Sequence, residues 1–380
     1  MAQRALGRKL HRVLTAGLIA LLVMNAVQIN QRTCKLADCR QQIYEMKEDR
    51  QLTEREFLPC NSSRFISSHK EAENERPVNV LLLSSMGRSG SSFLGALLSS
   101  LPGSFYFYEP LRRLEQWKLL TEEIGVKSLK AVFTCNLTEP VRSALTARNS
   151  RKISLQDARL CSSPNACFSA NAVEAACRRK RFRVVKTIRS RVSWLPELLK
   201  DAEVNLRVIH LVRDPRGSIT SGRKAGWFTA EPETYCERLH ADIRDGLQVL
   251  RQFPEKYMTL RYEDLCADPL GLLEVIAMFL GYHKVPPKTL RYLLATTTSS
   301  GQEWIYGIKR NTYNQQQKWR SAINETEILN IEKVCASCIS EIGFNLFGNL
   351  SNARDLSLPL YNETSPTSLF TYKRCVNVIN

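Results

Sequence analysis

The sequence predicts an α/β fold in which helices flank a parallel β-sheet, with a transmembrane helix near the N-terminus. Short runs of β-branched and aliphatic residues alternate with amphipathic segments between residue 78 and about residue 347. Strands separated by helices indicate a parallel sheet that is covered on both faces. This stretch of about 270 residues is long enough to bury one sizeable core. A separate apolar run, residues 13–29, predicts the transmembrane helix.

The strands and helices follow from the positions of these runs along the chain. The predicted strands are Val78–Ser84, Ser104–Tyr108, Arg183–Thr187, Arg207–Leu211 and Tyr257–Tyr262. The predicted helices are Ser92–Ser100, Leu111–Ile124, Ala170–Arg179, Ser193–Leu199, Pro215–Lys224, Pro232–Phe253, Pro269–Leu280 and Glu325–Ile342. In such folds ligands bind beside the carboxyl ends of the strands, so we expect the functional residues in the loops that follow them.

The apolar run near the N-terminus would span about 25 Å as a helix, which suits a thin early-secretory bilayer. Basic residues precede the run and no small-x-small cleavage site follows it, which favours an uncleaved signal anchor over a cleaved signal peptide. The predicted organisation is a cytoplasmic tail (1–12), the anchor (13–29), a luminal stem (30–76), a globular domain (77–347) and an irregular glycosylated tail (348–380).

Two further features predict that the globular domain lies in the lumen of the secretory pathway. The chain has 12 cysteines, which in a protein with a membrane segment indicates disulfide bonds. The second feature is the set of sequons for N-glycosylation, which occur at Asn61, Asn136, Asn324, Asn349 and Asn362.

None of the five histidines lies near a cysteine pair, so no metal site is expected.

The formal net charge of +17 indicates a polyanionic partner. Luminal placement argues against nucleic acid. An acidic glycan and a multiply charged nucleotide remain, with a merely solvated basic face as the alternative.

The loop after the first strand carries the first functional signal. Gly87 and Gly90 let the main chain approach a ligand, Ser91 and Ser92 add hydroxyl groups, and Arg88 offers a guanidinium suited to phosphate or sulfate. The layout of strand, small-residue loop and helix is P-loop-like and directs backbone N–H groups at an anion. No lysine precedes the serine pair, so the Walker pattern fails and a nucleotide kinase is disfavoured. The alternative is an ordinary serine-rich turn.

A second anion-binding pattern follows the fourth predicted strand. Arg213 stands at the end of that strand, Pro215 is suited to begin a helix, and Ser221 lies two turns into it. Arg213 and Ser221 could hold one phosphate together. The alternative is a helix start stabilised by salt bridges.

These motifs resemble those of the sulfotransferases. Arg-Ser-Gly-Ser-Ser-Phe at residues 88–93 resembles the family's 5′-phosphosulfate loop, and Arg-Asp-Pro-Arg at 213–216 with Ser221 resembles its 3′-phosphate site. Met86-Gly87 departs from the family, in which a bulkier or hydroxyl residue precedes the arginine. Further matching segments, in the order seen in the Golgi carbohydrate 6-O-sulfotransferases, are 106–110, 185–189, 261–265 and 317–320. Residues 175–180 look closest to the chondroitin and keratan sulfate members.

The resemblance implies the sulfotransferase fold and the donor 3′-phosphoadenosine 5′-phosphosulfate (PAPS). It implies catalytic roles for Glu109, Arg88 and Lys186, with Glu109 as general base. The expected PAPS-binding residues are Gly87, Arg88, Ser89, Gly90, Ser91, Ser92, Phe93, Arg213, Ser221 and Arg310. A capping role at a helix N-terminus is the alternative for Glu109. Lys186 and Arg189 are expected at the sulfuryl group or an acidic acceptor, with salt bridging as the alternative.

The expected function is sulfuryl transfer from PAPS to the 6-hydroxyl of galactose, GalNAc or GlcNAc in a glycan or glycosaminoglycan. The resemblance further implies a single-pass type II protein of the Golgi membrane. The alternative function is a non-catalytic, membrane-anchored lectin for acidic glycans, which the high net charge would also suit.

Overall fold

The computed structural model describes residues 76–146, 170–226, 231–297 and 315–361, together with residues 307, 312 and 370. Within these residues the chain forms one parallel sheet with the strand order β2-β3-β1-β4-β5. The strands are β1 (Val78–Leu83), β2 (Ser104–Tyr108), β3 (Phe182–Thr187), β4 (Leu206–Val212) and β5 (Tyr257–Arg261). The predicted strands and the predicted parallel sheet are confirmed, with bounds that differ by no more than one residue.

The sheet has helices on both faces, because its strands are apolar on both sides. Leu82 and Ile209 contribute to one core, which includes residues of the helices after β1, β4 and β5. Leu81, Phe107 and Val185 point to the opposite face and contribute to a second core. Side chains alternate between the faces of a strand, so continuous apolar runs are what a doubly covered parallel sheet requires.

The helices of the described residues are bounded as follows. Those before β4 are α1 (Ser91–Ser99), α2 (Arg112–Gln116), α3 (Glu122–Phe133), α4 (Val141–Thr146), α5 (Ala170–Arg178) and α6 (Leu195–Lys200). Those after β4 are α7 (Pro215–Lys224), α8 (Pro232–Gln252), α9 (Tyr262–Ala267), α10 (Pro269–Phe279), α11 (Pro287–Thr297), α12 (Lys318–Ala322), α13 (Glu325–Glu341) and α14 (Leu350–Arg354).

The single helix predicted over Leu111–Ile124 is wrong. The chain forms α2, turns at Lys118 and starts α3 at Glu122. Lys118 adopts a left-handed conformation with φ of 58°, which ends the first helix. The Thr121 side chain then accepts a hydrogen bond from the backbone N–H of Ile124 and caps the second helix. The helices α4, α9, α11, α12 and α14 were not predicted from the sequence.

The described part of the predicted C-terminal tail, residues 348–361, is not irregular. It contains α14, and the buried guanidinium of Arg320 donates hydrogen bonds to the backbone carbonyls of Ala353, Asp355 and Leu358. A buried arginine needs such acceptors, so this segment packs as part of the domain. The predicted boundary at residue 347 is therefore too early for the packed structure.

Two disulfides connect the described helices, as the cysteine content predicts. Cys135, after α3, is bonded to Cys177 of α5, and Cys236 of α8 is bonded to Cys335 of α13. The predicted tail 1–12, anchor 13–29, most of the stem 30–76 and the sequons at Asn61 and Asn362 lie outside the described residues. Among the helices that are described, none combines the length and the apolar character needed to cross a bilayer.

Candidate functional site

The order of the strands brings the two predicted anion-binding segments together. β1 pairs with β3 on one side and with β4 on the other, all in parallel. The loops that follow β1 and β4 therefore leave the sheet side by side at its carboxyl edge. This is the position at which ligands bind in open parallel sheets.

The loop after β1 turns through two residues with left-handed backbone. Arg88 has a φ of 65° and Gly90 a φ of 84°. The Gly90 carbonyl accepts hydrogen bonds from the N–H groups of Phe93 and Leu94, so α1 begins immediately after the loop. The N–H groups of the first helical turn have no acceptor within a helix, which leaves those of Ser91 and Ser92 for a ligand.

A tyrosine ring contacts both the loop and the segment after β4. A Cβ atom at Gly90 would lie 2.2 Å from Cδ2 of Tyr262, the first residue of α9. The guanidinium of Arg213 lies 4.4 Å from the centre of the same ring. Tyr262 therefore sets the spacing between the loop and Arg213. This role of Tyr262 was not predicted from the sequence, because nothing in the local pattern indicates which loop its ring contacts.

Gly90→Ala is expected to lower both stability and donor affinity. A left-handed alanine costs about 1–2 kcal/mol, and the added methyl group would also collide with Tyr262. Gly281→Ala is a matched control, since Gly281 has the same φ of 84° and no atom within 4 Å of its added Cβ. Urea unfolding of both variants measures stability. Titration with 3′-phosphoadenosine 5′-phosphate (PAP), the product left when PAPS loses its sulfuryl group, measures donor-site affinity. Equal effects of the two substitutions on PAP affinity would contradict a special role for the Gly90 contact.

Arg213 and Ser221 both contact Arg88. Arg213 donates from Nη1 to the backbone carbonyl of Arg88 at 2.5 Å. Arg88 in turn donates from Nε to the Ser221 hydroxyl at 3.1 Å. The two predicted anion-binding groups thus line one shared site.

Arg213 is oriented by a buried carboxyl group of α9. Its Nε lies 3.9 Å from Oε1 of Glu263, which also accepts a hydrogen bond from the Asp214 N–H. Burial raises the pKa of Glu263 to about 8, although the charge of Arg213 opposes this shift. The Nε of Arg213 is buried and has no hydrogen-bond partner among the described residues. Buried donors are normally satisfied, so Arg213 is suited to receive an anion.

Arg216 has a different role from Arg213. Its guanidinium is fully buried and pairs with Asp214 at 2.9 Å and Glu332 at 2.5 Å. Arg223, further along α7, pairs with Glu327 at 3.1 Å. The salt-bridged helix start that was the alternative interpretation therefore applies to Arg216.

Glu109 lies at the end of β2 in a buried network of positive charge. Its Oε1 accepts from Nζ of Lys186 at 2.5 Å, and its Oε2 accepts from Nη1 of Arg189 at 2.7 Å. The Ile188 N–H and the Thr187 hydroxyl also donate to Oε2. These partners follow from register, because β2 pairs in parallel with β3 and places Tyr108 beside Lys186.

The electrostatics of this network keep Glu109 ionised. Burial raises the pKa of Glu109, but the charges of Lys186 and Arg189 and their hydrogen bonds outweigh burial, so its pKa lies below the ordinary value. Arg189 also pairs with the exposed Glu115 at 2.6 Å. The salt bridging that was the alternative interpretation for Lys186 and Arg189 is present in this arrangement.

Contacts of α1 link this network to the loop. The Lys186 ammonium lies 4.9 Å from the centre of the Tyr108 ring, and the Tyr108 hydroxyl is 3.5 Å from the Ser92 hydroxyl. A Cβ atom at Gly95 of α1 would lie 3.3 Å from Cγ of Lys186. Glu109 and Lys186 thus lie on the β2 side of the loop, and Arg213 and Ser221 on its β4 side.

The remaining predicted site residues fall in several places. Gly87 and Ser89 lie in the loop, where the Ser89 hydroxyl donates to that of Ser91 at 3.1 Å. Phe93 is half-buried in α1 and packs against the core. Trp319, which was not a predicted site residue but belongs to the matching segment 317–320, is buried in the core with its ring centre 4.7 Å from the Arg216 guanidinium. Arg310 lies outside the described residues.

A buried histidine beneath the loop was not predicted from the sequence. His210 of β4 is 3.2 Å from the Ser85 hydroxyl through Nε2 and 2.8 Å from the Tyr257 hydroxyl through Nδ1. Burial lowers the pKa of His210 to about 4 from the ordinary 6.5, against a smaller opposing effect of Asp242. A histidine inside an apolar strand gives no local signal of its partners, which come from the loop after β1 and from β5.

This histidine predicts a loss of stability in acid. Between pH 6.5 and about 4 the unfolded chain binds a proton at His210 that the folded chain does not, so stability falls as the pH falls through this window. The slope from one proton is at most about 1.4 kcal/mol per pH unit. Urea unfolding at pH 7 and pH 5 should show a shallower dependence for His210→Gln. The exposed His283 supplies the control variant, and an unchanged slope in His210→Gln would contradict this prediction.

Three buried sulfur atoms form the cluster most suited to a metal in the described part of the chain. Those of Cys236, Cys335 and Cys338 lie within 4.8 Å of one another. Cys236 and Cys335 form a disulfide, so they offer no thiolate as a ligand. The absence of a required metal stays a prediction.

Comparison with known proteins gives the family of the chain. The model described as "Sulfotransferase family" matches residues 81–286, more than half of the chain. Carbohydrate sulfotransferase 5 of Homo sapiens is 30% identical over 350 residues, which cover 78% of this chain and 84% of that protein. Carbohydrate sulfotransferase 4 of Mus musculus is 28% identical over 363 residues, which cover 81% and 92%.

The chain is also similar to solved structures. The sulfotransferase domain from the Synechococcus PCC 7002 olefin synthase is 19% identical, with 71% of this chain and 97% of that chain covered and a TM-score of 0.39. The family of the chain is shown by the match to the family model and by the 30% identity to the human protein, and the similarity to this solved structure adds nothing to it. The chain therefore belongs to the sulfotransferase family and is a PAPS-dependent sulfotransferase.

Proposed function

We propose that this protein transfers a sulfuryl group from PAPS to the 6-hydroxyl of a galactose, GalNAc or GlcNAc residue in a glycan or glycosaminoglycan. The observation that carries the proposal is that the loop after β1 and the segment after β4, the two predicted anion-binding segments, line one site. Arg88 of the loop contacts both Arg213 and Ser221. PAPS carries charged groups at both the 3′ and the 5′ positions of its ribose, so it needs two such groups in one site. The relatives named carbohydrate sulfotransferases support a sugar as the acceptor.

In this proposal the two sides of the site hold opposite ends of the donor. Arg88 and the N–H groups of residues 90–92 bind the 5′-phosphosulfate, with Gly87, Ser89 and Phe93 shaping the loop. Arg213 and Ser221 bind the 3′-phosphate, and Arg310 contributes to donor binding. The unpartnered Nε of Arg213 supports this assignment, because a phosphate oxygen would satisfy it.

The chemistry requires a base and stabilisation of negative charge. The acceptor oxygen forms a bond to sulfur as the bond between sulfur and the bridging phosphate oxygen breaks, and PAP leaves. Glu109 takes the proton of the acceptor hydroxyl, while Arg88 and Lys186 stabilise charge on the sulfuryl and phosphate oxygens. By analogy with phosphoryl transfer the transition state is loose, so positioning and electrostatics supply most of the catalysis. A carboxylate with a lowered pKa is ionised and able to accept a proton, although it is a weak base.

We further propose that the protein is a single-pass type II protein of the Golgi membrane with its catalytic domain in the lumen. Residues 13–29 are the proposed anchor, 1–12 the cytoplasmic tail and 30–76 the stem. The two disulfides support an oxidising compartment. Three of the proposed N-glycan acceptors lie within the described residues, and Asn136 and Asn324 are exposed there while Asn349 is half-buried.

Sulfate transfer by the full-length protein tests the proposed reaction. Incubation with labelled PAPS and a panel of chondroitin, desulfated keratan and N-acetyllactosamine should label an acceptor, and digestion to disaccharides should place the label at a 6-position. Label at another position would contradict the 6-O assignment. Glycan binding without turnover of PAPS would favour a lectin and contradict the proposed enzyme.

A further inference from the structure

A second basic surface lies at the amino edge of the sheet, away from the site described above. From residue 175 to residue 196 the sequence contains no acidic residue. It contains eight basic residues there, Arg178, Arg179, Lys180, Arg181, Arg183, Lys186, Arg189 and Arg191. Lys186 and Arg189 pair with Glu109 at the carboxyl edge, and Arg191, which follows β3, pairs with Asp242. The first five lie at the end of α5 and the start of β3.

Backbone contacts fix these residues to the amino edge. The Arg181 carbonyl accepts a hydrogen bond from the N–H of Val78, and the Phe182 N–H donates to the Gly103 carbonyl. The segment therefore crosses the amino ends of β1 and β2. Arg76, which precedes β1, is exposed at the same edge. At about 3.3 Å per residue the strands separate this edge from the catalytic edge by about 20 Å.

The side chains of this segment differ in how exposed they are. Arg178 pairs with Glu174 at 3.3 Å. Arg179 and Arg181 are exposed, and Arg183 is 8% exposed with its Nε lacking a hydrogen-bond partner among the described residues. No ion pair joins Arg183 to another residue of the described ranges, so burial alone lowers its pKa. A buried charge is screened less than an exposed one and adds to the potential of the surface in front of it.

We propose that Arg76, Arg179, Lys180 and Arg181, which we call the amino-edge cluster, bind an acidic polysaccharide chain. The closely spaced cations between α5 and β3, together with Arg76 before the neighbouring strand β1, suit a polymer with repeating sulfate or carboxylate groups. A polymer is also the type of ligand that extends over about 20 Å, which a nucleotide or monosaccharide does not. The cluster would then retain the glycan chain while one of its sugars occupies the catalytic edge. Only that last step rests on the proposed function.

Binding of the full-length protein to immobilised heparin in 0.15 M NaCl, without PAPS, tests the cluster. The variant is Arg179→Glu with Arg181→Glu, and the matched control is Arg244→Glu with Lys333→Glu, two exposed residues of α8 and α13. We expect about tenfold weaker binding for the cluster variant, because each lost ionic contact to a polyanion weakens binding several-fold at this salt concentration. The control should bind much as the unmodified protein does. Equal losses in both would show that net charge alone governs binding and would overturn the proposal.

Three further measurements sharpen the test. Turnover of a short oligosaccharide acceptor should be unchanged in the cluster variant, whereas KM for a long acidic acceptor should rise. Loss of binding to anionic phospholipid vesicles with heparin binding retained would overturn the proposal in favour of a membrane contact. If the double variant does not fold, Arg76→Ala with Arg179→Ala replaces it. Since heparin binding requires no transfer, it decides the proposal even if the protein proves inactive on every acceptor.

Discussion

Replacing Glu109 by glutamine is expected to lower the turnover number by about 10²–10⁴-fold, the usual contribution of a general base. Glutamine keeps the size of the side chain but does not take a proton from the acceptor. PAP binding should be retained or strengthened, because the substitution leaves the charges of Lys186 and Arg189 without their carboxylate partner. Turnover at saturating PAPS and a calorimetric titration with PAP measure the two quantities.

Glu115→Gln is the matched control for this prediction. Glu115 also pairs with Arg189, but it is exposed and lies outside the buried network. Its substitution should change turnover little, because exposed ion pairs contribute little. Full turnover in Glu109→Gln would reject Glu109 as the base. Parallel losses of turnover, PAP affinity and thermal stability would assign it a purely structural role.

Arg213→Ala is expected to weaken PAP binding by about 10–100-fold. A hydrogen bond to a charged group contributes about 1.5–3 kcal/mol, and 1.4 kcal/mol corresponds to a factor of ten. The substitution also removes the contact with the Arg88 carbonyl and leaves Glu263 buried without its cation. Because burial already raises the pKa of Glu263 to about 8, this carboxyl group is mostly protonated at neutral pH, so loss of Arg213 leaves little uncompensated charge and costs little stability. Calorimetric titration and thermal unfolding measure the two effects.

Arg223→Ala provides the control on the same helix. Arg223 pairs with Glu327 and makes no contact with the loop among the hydrogen bonds of the described residues. Its removal should leave the dissociation constant of PAP nearly unchanged. An Arg213→Ala protein that binds PAP as tightly as the unmodified chain would remove Arg213 from the donor site.

The features that could be predicted from the sequence are those encoded by local pattern. The buried strands are continuous apolar runs, and the helix after Asp214 begins with proline, so both were predicted within a residue. The loop between β1 and α1 combines glycine, serine and arginine in a recognisable order. Arg213 and Ser221 were found because they follow a strand at helical spacing.

The features that could not be predicted depend on the register and order of the strands. The pairing of Glu109 with Lys186 arises because β2 lies beside β3, although the two residues are 77 positions apart. The contact of Tyr262 with Gly90 and Arg213 requires β1, β4 and β5 to be in place. Likewise, the break between α2 and α3 rests on a left-handed lysine, a conformation that the residue type does not favour.

A comparison of PAP with adenosine 5′-phosphate, in the unmodified protein and in Arg213→Ala, tests the central claim most directly. These ligands differ in the 3′-phosphate alone. PAP should bind the unmodified protein about 10–100-fold more tightly than adenosine 5′-phosphate. In Arg213→Ala this difference should largely disappear, while the affinity for adenosine 5′-phosphate should stay the same. If Arg213→Ala weakens both ligands equally, Arg213 does not bind the 3′-phosphate, and the two sides of the site do not hold opposite ends of one donor.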